Sequence, residues 1–390
     1  MKNTLHLCLF SGIFALFLHS QISAQGCVAI RQVGGCGAAS ATTLLAKGEW
    51  QANLNYRYFR SFRHFRGDHE EMNRVEMGTE VINIAHIADL GLAYSLTNRL
   101  SLAANLPIIF YDRSSLYEHY GNSSTANPEQ KRFHTNSRGI GDLRLAASYW
   151  LFNPEQHSTY NIALGAGIKL PTGNSNVQDA FHKRSTVDGS DSTTIRAVDQ
   201  SIQLGDGGIG FTIELQAYAS LTPRATLYAN GFYLSNPRNT NNTLTRGTLD
   251  NTDPLIAYHS VADQYLARLG LNYLLLPTKS LAISLGGRIE GIPPQDFIGK
   301  SDGFRRPGYI VAAEPGINFQ NNRFSIALTV PVAIYRNRTK STYDLADPNG
   351  QRHGDAAFAD YSINLGVGYR FGGNHPAMDM PAPGWKEVGQ

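Results

Sequence analysis

The sequence predicts an all-β fold: a transmembrane, antiparallel up-and-down β-barrel of about twelve strands behind a cleaved signal peptide. Three observations predict it. The chain carries repeated segments in which apolar and polar residues alternate with a period of two. The connections between them are short and long in turn. The first residues carry an export signal.

That signal reads "MKNTLHLCLFSGIFALFLHSQISAQ", with Lys2 ahead of an apolar run over 7–18 and a short polar stretch ending at Ala24. The run is shorter than the roughly 20 apolar residues a spanning helix needs. Cleavage after Ala24 is expected, which makes 1–24 the signal peptide. Residues 25–48 then form an N-terminal periplasmic or plug segment, 49–371 the barrel, and 372–390 a C-terminal tail expected to be disordered. A formal net charge of +3 over 390 residues excludes a nucleic-acid partner on charge grounds.

The first strand candidate, "WQANLNYRY" (50–58), places Trp50, Leu54, Tyr56 and Tyr58 on one face and Gln51, Asn53, Asn55 and Arg57 on the other. The pattern returns around 90–96, over 100–111, at 143–149, 160–170, 211–219, 225–234, 264–276, 280–290, 308–319 and 324–335. It ends with "DYSINLGVGYRF" (360–371). Most runs are longer than a typical globular strand and suit a tilted membrane strand. Five short turns, "TNR", "FNPEQHST", "TPR", "PTK" and "QNNR", alternate with long connections at about 60–80, 112–139, 171–208, 235–263, 291–307 and 336–357. Short periplasmic turns, long outer loops and an even strand count characterise outer-membrane barrels, and a sheet crosses a bilayer only if it closes. Both barrel ends then fall on the periplasmic side. Tyr and Phe near the strand ends, among them Tyr94, Phe110, Tyr149, Tyr309, Phe324 and Tyr369, are expected to form the interfacial girdles.

Three stretches carry a resemblance: "GIGDLRLAASYWL" (139–151), "GAGIKLPTGNSN" (165–176) and "LGDGGIGFTIEL" (204–215). With the strand order, they resemble the outer-membrane family named after meta-pathway phenol degradation, whose members are usually described as transporters. The resemblance covers roughly 50–371. It implies an exported twelve-stranded barrel that passes small or hydrophobic molecules, and it assigns no substrate or functional residue.

The polar faces supply the lumen-lining candidates: Arg57, Arg144, Lys169, Arg268, Arg288 and Arg370 against Asp89, Asp142, Glu214, Glu290, Glu314 and Asp360. A strongly ion-selective pore needs a ring of one sign, which six of each sign do not provide. Arg288 and Glu290 lie two apart on one face and can pair; Asp142 and Arg144 share that spacing. Such pairs hold the interior together or mark a solute path, and both readings stay open. Twelve strands lie between a filled barrel and an open channel, so a narrow lumen is expected, blocked by side chains or by the N-terminal segment.

An enzyme is not expected. Most of the twelve histidines fall in the signal, long loops or tail, His157 lies in a periplasmic turn, and His86 on the lipid face has no serine in phase beside it. No cofactor or metal is expected either. "GDGGIG" (205–210) enters a strand rather than a helix, so it is no dinucleotide motif. "VDGSDS" (187–192) lacks calcium-loop spacing, and His375, Met378 and Met380 sit in a Pro-rich tail. The first outer loop interleaves Arg60, Arg63 and Arg66 with Phe59, Phe62 and Phe65, either an ordinary charged loop or a contact for lipid phosphate.

Cys8 leaves with the signal, and a disulfide between Cys27 and Cys36 is the simplest reading of the mature pair. Lipidation of Cys27 is the alternative. The expected function is an outer-membrane channel or transporter for small molecules, hydrophobic ones among them. The alternatives are a surface structural or adhesive barrel and, ranked last, a lipid-active enzyme. Expected partners are outer-membrane lipid, a small-molecule solute and the barrel-assembly machinery of a Gram-negative-type bacterium.

Overall fold

In a computed structural model, which describes residues 44–250, 252–321 and 323–373, the alternating segments pair in sequence order and close on themselves. The wall strands are β1 (Glu49–Arg66), β2 (Ile82–Ser95), β3 (Leu100–Ser115), β4 in two pieces (Phe133–Ile140 and Leu143–Trp150), β5 (Tyr160–Leu170), β6 (Gly210–Thr222), β7 (Ala225–Ser235), β8 (Gln264–Leu276), β9 (Leu281–Ile292), β10 (Gly308–Gln320), β11 in two pieces (Phe324–Thr329 and Val332–Asn337) and β12 (Ala356–Gly372). Each pairs antiparallel with its neighbours, and β1 closes the ring against β12 from Glu49↔Gly372 to Phe65↔Ala356. The protein is an all-β, closed, twelve-stranded antiparallel barrel. No edge is left open along that closing seam, which is what a lipid environment requires of a sheet.

The outer face is apolar, with Leu54, Leu90, Leu102, Leu164, Ile213 and Leu285 all exposed. At the end with short turns the aromatic residues form a continuous run. Phe324 packs on Tyr369 at 4.8 Å, Tyr369 on Phe371, Phe371 on Trp50, and Trp50 on Tyr94 at 4.5 Å. An amphipathic aromatic belt of this kind marks a membrane interface.

The opposite rim departs from the expected boundaries. β1, β2, β3 and β12 continue past the apolar belt, so 60–66 and 112–115 are wall rather than loop. Residues 133–140, expected in a long loop, form the upper piece of β4 and pair with β3 from Ile108↔Ile140 to Ser115↔Phe133. By contrast, β5 ends at Leu170 and β6 begins at Gly210, paired there with Lys169. The upper piece of β4 therefore pairs with β3 alone, and the wall steps down between β4 and β5. The connection 171–209 fills the step. Within it, Gln178–Arg184 and Asp191–Ala197 form a hairpin, and Asn136 N–H donates to Asp179 Oδ2 at 2.8 Å across the free edge.

At the mouth that carries the short turns, Leu45 is buried and its carbonyl accepts from Ser95 Oγ. Leu44 packs on Trp150, Ala163 and Tyr218, which face inward. Cys27, Cys36, the signal peptide and the His/Met tail lie outside the described residues.

Candidate functional site: the lumen and the seam between β4 and β5

The inward charges form two groups at mid-height. In the first, Glu290 of β9 bridges Arg57 of β1 and Arg288 of its own strand, each at 2.7 Å. Arg268 of β8 grips Glu314 of β10 at 2.8 Å. In the second, Arg144 of β4 donates to Glu214 of β6 at 2.5 Å and to Asn105 of β3 at 2.9 Å. Two rings of β7 stand between the groups, with Arg144 over Phe232 at 5.5 Å and Arg268 over Tyr228 at 5.7 Å. Glycine makes room for one of them: a Cβ on Gly270 or Gly286 would meet the Tyr228 hydroxyl at 2.4 or 2.6 Å. All these charged side chains are buried, and the Arg57–Glu290 pair reaches across the lumen from β1 to β9. Pairing offsets the large cost of removing such charges from water.

The remaining sequence candidates sit elsewhere. Asp89 faces the lumen, buried, with no ion pair among the described residues. Asp360 belongs to the outer rim, 3.4 Å from Arg63 and 3.8 Å from Arg336. Arg370 stands at the mouth with the short turns, opposite Gln51 in the register of β1 and β12. Arg288 and Glu290 do pair, but Asp142 and Arg144 do not pair with each other. Asp142 instead turns to the seam, because the strand is interrupted after Ile140 and resumes at Leu143.

At this seam the three quoted stretches meet. The Asp142 carboxylate accepts from Gly173 N–H at 3.0 Å and from Asp206 N–H at 3.1 Å. Lys169 Nζ lies 3.8 Å from Asp142 and is hydrogen-bonded to Asp206. Thr172 Oγ1 donates to Gly141 O and accepts from Leu143 N–H, both at 2.8 Å, so one hydroxyl replaces the missing ladder bonds. Packing here is close enough to demand glycine: a Cβ on Gly205 would lie 2.5 Å from Asp142 Oδ1 and from Gly173 O. Ile140 and Ile209 are exposed on the outer side, so the seam lies beside the apolar belt.

Above the ion pairs the lumen is apolar on one side, which polar-face reading missed. Phe59, Ala85, Ile87, Ile109 and Tyr111 point inward and are covered by Val198, Ile202 and Leu204 of the infolded connection. β2 and β3 are apolar on both faces here (Ile108 and Phe110 outward, Ile109 and Tyr111 inward), which is the signal of a strand buried on both sides. Leu204 reaches the seam, since a Cβ on Gly139 would meet its Cδ1 at 2.9 Å. Beside this cluster a mouth pocket is lined by Phe59, Tyr111, Ile202, Gln200, Gln264 and Arg306.

Asp199 pins the infolded connection. Its carboxylate takes two hydrogen bonds from Arg306, at 2.8 and 2.7 Å, lies 3.4 Å from Arg113 and accepts from Ser201. Burial pushes its pKa up, but Arg113, Arg306 and Ser201 outweigh this and hold the carboxyl well below its ordinary 3.8. A depressed folded pKa gives stabilisation that is complete above the ordinary value and lost only as pH falls through the folded one. Amides of 198–204 should therefore stay protected from hydrogen exchange at pH 5 and lose protection only in strong acid. Asp199→Asn should speed their exchange about tenfold or more at neutral pH; unchanged protection in that variant would show that the carboxylate pins nothing.

A closed antiparallel barrel with an apolar belt, an aromatic girdle and a charged interior defines the class of outer-membrane β-barrels. No family model matches the sequence, and no curated protein matches it. Among solved structures, an outer-membrane channel from Pseudomonas putida F1 is similar over 84% of this chain and 97% of its own, at 14% identity and a TM-score of 0.50. The monoaromatic hydrocarbon channel CymD covers 90% of this chain and 96% of its own (9% identity, TM-score 0.43). The translocator domain of the autotransporter NalP from Neisseria meningitidis covers 86% and 92% (12% identity, TM-score 0.42). The first of these likenesses establishes the fold.

Proposed function

We propose that the protein is an outer-membrane channel of a Gram-negative-type bacterium that passes small molecules with an apolar body. The observation that carries this reading is the contrast within the lumen. The Arg57–Glu290 bridge spans the lumen at mid-height, whereas the mouth pocket lies over Phe59 and Tyr111 and reaches Gly205 and Asp206 at the β4–β5 seam. A solute that descends from the mouth meets buried charge, which repels an apolar body, and next to it the interrupted ladder of the β4–β5 seam beside the apolar belt.

The test uses purified protein in vesicles whose outer leaflet carries lipopolysaccharide. Uptake of a fluorescent aromatic probe into the bilayer should rise well above that of empty vesicles, with low steady ion conductance in planar bilayers. Free passage of ions and sugars, with probe uptake no faster than in empty vesicles, would overturn it. The hairpin tip, where Val187 is 95% exposed, favours surface adhesion as a second reading. Deletion of that hairpin would then abolish binding and spare uptake.

A further inference from the structure

The interleaved Arg/Phe stretch of β1 does not act as a unit. Arg63 turns to Glu70 and Asp360, and Arg66 pairs with Glu71 at 2.7 Å. Arg60 alone stays on the lipid-facing side, exposed, its guanidinium 4.4 Å over the ring of Phe62 and without an ion-pair partner among the described residues. The upper piece of β4 brings a second such cation. Arg138 is exposed, shares the outward face with Ile140, and has no hydrogen-bond or ion-pair partner among the described residues.

Strand register places the two arginines. Tyr58, His86, Phe110 and Arg138 stand side by side in one register row across β1 to β4, and Arg60, Ile84, Asp112 and Asn136 form the next row outward. Even-numbered residues of these rows face out, so the two cations flank a shallow field of Tyr58, His86 and Phe110. With neighbouring strands about 4.8 Å apart, the field is roughly 14 Å wide. The carboxylate on this face, Asp112, is already engaged by His134 at 2.9 Å, and His86 Nδ1 hydrogen-bonds the Tyr56 hydroxyl at 2.7 Å. The outward faces at the corresponding ends of β6 to β11 carry Phe211, Tyr233, Tyr265, Tyr309 and Tyr335 instead.

Just past the apolar belt, an outward guanidinium faces the headgroup region, where an anionic lipid can supply its counter-charge. We propose that Arg60 and Arg138 hold a phosphorylated glycolipid of the outer leaflet, each arginine taking a phosphate while the aromatic field between them lies under the sugar. The planar guanidinium fork matches phosphate oxygens in two-point hydrogen bonds, and stacking on Phe62 pre-orients Arg60 for it. The site depends on the orientation of the barrel in the membrane and not on what passes through it.

The experiment measures retention of lipid A by the full-length protein during detergent exchange, read by native mass spectrometry. Wild type should keep bisphosphorylated lipid A, and Arg60→Ala/Arg138→Ala should lose it about tenfold more readily. Arg60→Lys/Arg138→Lys should restore part of the retention, and Arg323→Gln on a periplasmic turn should change nothing. Heat-modifiable gel mobility reports whether each variant is folded. Equal retention of dephosphorylated lipid A by wild type would overturn the proposal. So would displacement by millimolar inorganic phosphate, which would mark a site for the free ion, or undiminished retention by the folded alanine double variant.

Discussion

Glu290→Gln should destabilise the barrel by about 3–5 kcal/mol, because it leaves Arg57 and Arg288 buried without their shared carboxylate. Glu290 is fully buried, and Arg57 and Arg288 nearly so, which leaves little room for water to take its place. Urea unfolding from lipid vesicles measures the loss, and planar-bilayer conductance should rise as the cross-lumen bridge loosens. The triple change Arg57→Met/Arg288→Met/Glu290→Met removes the charges together and should cost far less than the single one. If Glu290→Gln unfolds at the wild-type urea concentration and conducts no more, the cluster neither holds nor blocks the lumen.

Asp142→Ala should open the seam. It orphans the N–H groups of Gly173 and Asp206 and removes a counter-charge from Lys169. Each buried donor left unmet costs about 1–3 kcal/mol, so a loss of roughly 2–5 kcal/mol is expected, concentrated between β4 and β5. Exchange of the Leu143 and Gly173 amides should accelerate before that of the closing β1–β12 ladder, and uptake of an apolar probe should increase. Asp142→Asn keeps one acceptor oxygen and should fall between. Uniform exchange across the barrel would show that the seam is no weaker than the rest of the wall.

Alternation made the wall strands legible wherever lipid lies on one side and the lumen on the other, as in β1 or β6. It failed for Phe133–Ile140, where His134, Asn136 and Arg138 face outward. Polar outward residues look like a loop when apolar outward residues are the criterion for a strand. It found the strand over 100–111 but not that Ile109 and Tyr111, like Ile87 of β2, face inward, because an inward apolar residue opposite an outward one erases the period. The glycine-rich stretches were visible as words without grammar. Asp142 finds its partners 31 and 64 residues onward through the pairing of β4, β5 and β6, whereas Arg57 meets Glu290 across 233 residues only when the ring closes.

That closure also bears on how the chain folds. The ladder joining β1 to β12 is among the longest in the barrel, yet it links the two wall strands farthest apart in sequence. Loop-closure entropy grows only with the logarithm of loop length, so joining ends ten times farther apart costs about 2 kcal/mol more. A ladder from Glu49↔Gly372 to Phe65↔Ala356 outweighs that easily once it forms, but nothing local nucleates it. High contact order of this kind slows folding. The last hairpin must wait for the first strand, and an assembly that stalls before they meet exposes both edges at once.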